Sequence, residues 1–298
     1  MNPPASDSGW LSSGLGDGPG LRWSFSTDAP LVDLVTARES GEVLAGDASG
    51  GIYMLDRRGR AVAVTRGFAN LSALAFSDTG EALAAVVRDT KLCRLDRRLD
   101  MRWSIDLPDT IRAVAVDPFG EYIAASLANG RTHVLDSQRD TVSRFETARP
   151  LCLLTLIATE PVVIGAAEYG LLCSYSLDGA LNWNEQLLSS VGDLAATGDG
   201  GNVYLAGFSH GVLAFDGEGM NRGTYVVEGT PNHVSTSFVS RRLCVTTLER
   251  HTYWIDANGE MLWAGVLPED AVRVHCDPVG NGAVCGLVSG RILSVGWG

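Results

Sequence analysis

The five histidines, His133, His210, His233, His251 and His275, are the first place to look for chemistry in this chain. No two of them share the HxH or HxxxH spacing that lets one strand or one helix turn present two metal ligands. The six cysteines, at 93, 152, 173, 244, 276 and 285, form no CxxC pair and sit mostly inside apolar runs. They read as small buried hydrophobes in a reducing compartment, and the spacing of Cys276 and Cys285 gives no reason to pair them. There is no GxSxG, no phosphate loop, and no GxGxxG between a strand and a helix. The glycine-rich run GLGDGPG (14–20) precedes no helix that would bind an anion, so it reads as flexible tail. The 35 Asp and Glu residues read as turn caps and solvated faces, with no pair singled out. The residues therefore assign no catalytic group, metal site or cofactor. Only ligands gathered from distant parts of the chain would escape such a search.

Charge narrows the partners. A formal net charge of −12 argues against general nucleic-acid binding, which needs a basic face. Lysine is almost absent. The densest arginines, Arg57, Arg58, Arg60 and Arg94, Arg97, Arg98, read as solvated turns beside Asp. The acidic balance suits a basic protein partner. The first residues, MNPPASDSGW, lack a basic region followed by an apolar run, and no stretch approaches the roughly 18 apolar residues of a membrane helix. The expectation is a cytoplasmic protein without a membrane span, a monomer or part of a hetero-complex.

The elements that would position any site emerge from internal repetition. LRWSFS (21–26) returns as MRWSID (101–106), and Trp23, Trp103, Trp183 and Trp263 are evenly spaced along the chain. An apolar residue followed by Asp marks half that period. From Asp56 through Asp96, Asp136, Asp178 and Asp216 to Asp256 the numbering advances by 40, 40, 42, 38 and 40. Between them lie small pairs: Ala45-Gly46, Ala84-Ala85, Ala124-Ala125, Gly165-Ala166, Ala206-Gly207 and Cys285-Gly286. Seven units of nearly equal length result: 21–59, 60–100, 101–140, 141–179, 180–219, 220–259 and 260–298. In the third, MRWSI, IRAVAV, YIAASL and THVLD read as four short strands separated by LPDT, DPFGE and ANG turns.

Four strands per unit, seven times over, predict an all-β, seven-bladed β-propeller with four-stranded antiparallel blades. The small pairs are expected beside the central channel, where blades converge. Each Asp is expected to accept turn N–H groups, for about 1 kcal/mol per turn. The tryptophans open outer strands and are expected to wedge between blades. Burying roughly 150–250 Å² at about 25 cal/mol/Å² gives some 4–6 kcal/mol gross per ring as an upper figure. The first unit opens on an outer strand and the last stops at a third strand, ILSVG. Strand 21–26 must therefore close the ring on the C-terminal blade, leaving 1–20 as a flexible tail.

In this repeat grammar the chain resembles WD-repeat propellers, with Leu-Asp, Phe-Asp or Ile-Asp replacing Trp-Asp, no Gly-His signature, and Val295-Gly296 where the last Asp is expected. DRRLDMRW (96–103) and DANGEMLW (256–263), with the shorter DGALNW (178–183), are similar to PQQ-type repeats. The resemblance implies the fold, and a chain wholly used up by blades, with no inserted domain and no local catalytic motif, points to a non-catalytic scaffold for protein–protein interaction. Its alternative is a channel-bound cofactor- or metal-dependent enzyme of quinoprotein-like type, with charged or His side chains converging in the channel. The loops joining second to third strands ring one channel mouth. There Arg88, Asn129, Arg131, Glu168, Tyr169, His210, Arg250 and His251 break the small-residue turn pattern and are the candidate partner-binding rim.

Overall fold

In the computed structural model, which describes residues 9–209, 211–239 and 241–297, seven antiparallel sheets form a ring. Blade 1 consists of Leu31–Thr36, Val43–Asp47, Gly51–Leu55 and Ala61–Arg66, from channel to rim. The innermost strands of blades 2 to 7 are Leu71–Phe76, Ile111–Val116, Leu151–Leu156, Val191–Ala196, Pro231–Thr236 and Ala271–Cys276. Each blade takes its first three strands from one sequence unit and its fourth from the start of the next. Blade 7 takes its fourth strand from the other end of the chain. Gly20–Ser26 pairs with Arg291–Gly296, with Trp23 opposite Ser294, and the ring is closed.

Most hydrophobic clusters span two neighbouring blades. One joins Leu44, Ile52 and Met54 of blade 1 to Leu71, Leu83 and Leu95 of blade 2, and another joins Ile164 and Leu172 of blade 4 to Val203, Leu205 and Phe215 of blade 5. Second strands such as Ala82–Val87 are buried throughout because both faces meet another sheet, so they read as continuous apolar runs. Fourth strands are mostly exposed or half-buried, and Gly20–Ser26 alternates between the two, because only one face is covered. The small pairs lie one strand further from the axis than the expected channel position, on second strands. A side chain at Gly46 would collide with Leu71 and Leu74 of blade 2, and one at Gly286 with Leu31 and Leu34 of blade 1. Crowding comes from the neighbouring blade, not from convergence at the axis.

The turn aspartates and the tryptophans act together. Asp56 accepts the N–H groups of Arg58 and Arg60 (2.9 and 3.0 Å), and Asp96 those of Arg98 and Asp100 (2.9 and 3.0 Å). Asp136, Asp216 and Asp256 hold equivalent amide pairs at 2.8–3.0 Å. Asp178 takes the Ala180 N–H at 3.1 Å and the Ser176 hydroxyl at 2.6 Å. Onto three of these turns a tryptophan of the preceding blade docks. Trp23, Trp103 and Trp183 donate their indole N–H groups to the carbonyls of Arg57 (3.0 Å), Ser137 (3.0 Å) and Gly217 (2.8 Å), each at the same separation along the chain.

Trp263 has no such turn to meet. Val295-Gly296 replaces the apolar–Asp pair. Trp297, at the position where the acceptor carbonyl falls in the other three seams, stacks on Trp254 at 4.2 Å. The space is filled from the N-terminus. Helix Gly9–Ser12 seats Leu11, only 4% exposed, among Trp254, Trp263, Val274 and Val295, and Trp10 lies 5.8 Å from Trp263. Leu15–Gly16 then adds a fifth strand to blade 6, pairing with Ala264 and Trp263. This corrects the flexible-tail expectation over 9–20, while residues 1–8 lie outside the described residues. The glycine run is required by close approach, not by flexibility. A Cβ on Gly14 would overlap the Trp263 indole nitrogen, and Gly16 runs against the Leu262 carbonyl at φ +92°.

Candidate interaction face

The second-to-third-strand turns and the connections between blades share one face of the ring. Among the expected rim residues, Arg88, Asn129, Glu168, Tyr169 and Arg250 are exposed there, as is Arg131, the first residue of its third strand. His251 is half-buried, and His210 lies outside the described residues. The described ones are spread over blades 2, 3, 4 and 6. Arg131 faces Glu146 at 3.5 Å, Arg250 donates to the Pro268 carbonyl at 3.3 Å, and His251 lies 3.4 Å from the Glu228 carbonyl. Five of the seven turns place a glycine at positive φ: Gly50, Gly130, Gly170, Gly211 and Gly290. The other two hold Arg88 and Asp89 (φ 54° and 61°) and Arg250 (φ 68°) in the left-handed region, which costs about 1–2 kcal/mol per non-glycine residue.

What gathers on this face is apolar, in an arc over blades 4 to 6 formed by Tyr169, Leu188, Phe208, Val226 and Leu248. Leu188 is 78% and Val226 88% exposed. Backbone bonds knit the loops that carry them: Tyr169 bridges to Ser190, Phe208 N–H donates to the Ser190 carbonyl (3.0 Å), and Leu248 N–H to that of Thr230 (2.9 Å). Arg149 lies over the Tyr169 ring at 5.4 Å. Around the arc stand the exposed acids Glu168, Glu228 and Glu249. The Thr230 N–H (2.7 Å) and hydroxyl (3.0 Å) hold Glu249, bringing its carboxyl to about 2. The aliphatic members of the arc were missed in the sequence. The available signal was an apolar residue inside a turn, as in QLLSS and VVEG, where solvent-facing positions ordinarily carry polar residues.

The channel has its own constellation, also missed. Residues 33, 73, 113, 153, 193, 233 and 273 occupy one position of the innermost strands at intervals of 40, reading Asp, Ala, Ala, Leu, Asp, His, Arg. The polar four fall on adjacent blades, 5, 6, 7 and 1. Asp33 accepts the N–H of Leu74 on blade 2 (2.8 Å) and faces Arg273 of blade 7 (3.2 Å). Asp193 accepts the N–H of Val234 on blade 6 (3.2 Å), with the His233 ring 3.6 Å away, an electrostatic contact too long for a hydrogen bond. Innermost strands are sheet edges, and these carboxylates take the N–H groups that the channel edge leaves unpaired. Burial raises the Asp193 carboxyl, but His233, Arg273 and the Leu194 N–H outweigh it and hold the group below the ordinary carboxylate value. His275 donates Nε2–H to the Leu34 carbonyl (2.8 Å), and burial depresses its pKa.

Asp33, Asp193, Arg273 and His275 line a cavity of about 280 Å³. At the opposite mouth Arg38 lies across it, paired with Asp78 (2.8 Å), reaching the Ala196 carbonyl (3.4 Å) and stacked 5.3 Å over Phe238. Among the described residues no three His, Cys, Asp or Glu side chains gather as metal ligands. Charged groups do converge in one sector of the channel, as the quinoprotein-like alternative requires, but Asp33, Asp193 and His275 are engaged in bonds between blades.

No protein-family model matches this chain, and no curated protein sequence matches it. Among solved structures it is similar to the β-propeller domain of Cps50 (Swd1) from Myceliophteria thermophila, with a TM-score of 0.80 and 14% sequence identity. The alignment covers 94% of this chain and all of that one. At such identity the likeness is one of fold alone, and with the strand order above it shows the chain to be a seven-bladed β-propeller.

Proposed function

We propose that the protein is a non-catalytic interaction platform, acting as a monomer or within a hetero-complex, whose apolar arc over blades 4 to 6 holds a protein segment carrying apolar and basic side chains. The observation that carries this reading is the arc itself. Leu188, Val226 and Leu248 are displayed on loops fixed by hydrogen bonds and rimmed by three carboxylates. Rigid presentation limits the ordering cost of binding, and the acidic rim, with the overall charge of −12, steers a basic partner. The propeller architecture, similar to that of Swd1, supports a scaffold role in general terms. A cytoplasmic location is part of the same proposal. It fits six free cysteines, of which Cys93, Cys173, Cys244, Cys276 and Cys285 are buried.

The test compares proteins recovered on the wild-type chain with those recovered on Leu188→Asp/Val226→Asp. The reading expects specific partners to be lost while the melting temperature changes little, because both side chains are solvated in the free protein. An unchanged partner set would overturn it. A quinone-like absorption band or stoichiometric metal in the purified protein would overturn the non-catalytic part.

A further inference from the structure

The seat of residues 9–18 on the outer wall between blades 6 and 7 has the features of a binding groove. Three seams of the ring are closed by a tryptophan whose indole N–H meets a backbone carbonyl of the next blade. At this one, Trp263 is 2% exposed and its indole N–H finds no acceptor among the described residues, and the same holds for the buried Trp10 nitrogen. The edge of Met261–Val266 offers its backbone to an added strand, and Leu15–Gly16 uses only two residues of it. Trp254, Trp263 and Trp297 with Val274, Ala283 and Val295 form an apolar seat that leaves a void of about 20 Å³ around the occupant. Trp297 also donates its indole N–H to the Asp17 carbonyl at 2.6 Å, fixing the strap at its exit.

We propose that this seam is a peptide-docking groove that residues 9–18 occupy in cis. Its trans occupant is an extended segment of a partner protein that presents an aliphatic side chain to the tryptophans, then glycine where the backbone crosses Trp263. The chemistry of the occupant is read from the present one. Leu11 fills the seat, Gly14 crosses at a point with no room for a Cβ, and the backbone extends blade 6 by strand addition. A trans segment with a carbonyl facing Trp263 Nε1 satisfies a donor that the cis segment leaves buried and unpaired. Such a hydrogen bond is worth about tenfold in affinity. The groove lies on the outer wall, away from the apolar arc, so the two readings stand or fall separately.

The test uses the full chain in two forms, wild type and Gly14→Val, the latter expelling the cis segment by overlap with Trp263. The probe is a fluorescein-labelled peptide with the sequence of residues 9–20, GWLSSGLGDGPG. Anisotropy should show binding to Gly14→Val at least tenfold tighter than to wild type, and a Leu11→Asp peptide should not compete. Limited proteolysis should cleave near 17–20 in the variant and spare the wild type. The proposal is overturned by a peptide that binds neither form, by one that binds both equally, or by wild-type-like protection of the variant. Dimerisation of the wild type at the same concentrations would assign the seat to a second copy's segment and overturn the partner assignment. Binding that survives Leu188→Asp/Val226→Asp in the Gly14→Val background separates this groove from the interaction face.

Discussion

Trp103 and Trp263 occupy equivalent positions on outer strands, but their seams are closed in different ways. Trp103 is half-buried and anchored by one hydrogen bond to a turn that Asp136 stabilises, so everything it needs lies within the next repeat. Trp263 is far more buried, its indole N–H has no acceptor among the described residues, and its covering comes from residues 9–18 at the far end of the chain. A repeat that keeps its turn closes its seam with a local, polar contact. A repeat that has lost it must borrow apolar surface from elsewhere. The 6–7 seam is thereby the one whose integrity depends on a strap.

The harshest way to break the comparison is truncation. Removing residues 1–26 deletes the fourth strand of blade 7 and opens the ring, and we expect loss of the cooperative thermal transition in circular dichroism. Removing 1–19 uncovers Trp263 and Trp297 but leaves the closure intact, and should lower the melting temperature without abolishing the transition. If that truncation melts like the intact chain, the strap carries no stability and the contrast between seams fails.

Next in size are single tryptophan truncations. Trp263→Ala should cost about 3–5 kcal/mol in urea unfolding, the range for emptying a buried aromatic site. Trp103→Ala should cost clearly less, because its ring is already partly solvated. Equal losses would count against the different burial of the two rings.

A finer cut separates packing from hydrogen bonding. Trp103→Phe removes the bond to the Ser137 carbonyl and leaves that acceptor to water, costing about 0.5–1.5 kcal/mol beyond the lost ring area. Trp263→Phe removes a donor that has no partner among the described residues, so its cost should follow ring area alone.

The smallest effect is electrostatic. Asp56, in the turn that receives Trp23, is held down at about 2, first by the Arg60 side chain and then by the Arg60 and Arg58 amides. Its folded pKa lies below the ordinary value, so its contribution is complete above about pH 4 and fades as pH falls towards 2. Asp56→Asn should flatten that part of the acid unfolding curve. The 6–7 seam, whose Val295-Gly296 carries no such carboxylate, should show no matching step when followed by Trp263 fluorescence in a chain with the other tryptophans replaced by phenylalanine.

The blades were legible because a propeller is built from contacts that recur at short range. Apolar–Asp before a turn, a small pair on the second strand and a Trp at the start of the fourth each answer to a need within one blade or its neighbour. Asp56, Trp23 and the closing strand 21–26 are accordingly as readable from spacing as from coordinates. The regular interval from Asp33 to Arg273 is present in the sequence as well, but spacing alone does not say that Asp33 and Asp193 take up N–H groups of a channel edge. The strap was not legible. GLGDGPG has the composition of a mobile tail, and what makes its glycines necessary is the indole of Trp263, near the other end of the chain. The apolar arc depended in the same way on loops that only the closed ring brings side by side. Local repetition determines how each blade folds, whereas the close approach of segments distant in sequence decides which surfaces the ring covers and which it leaves exposed.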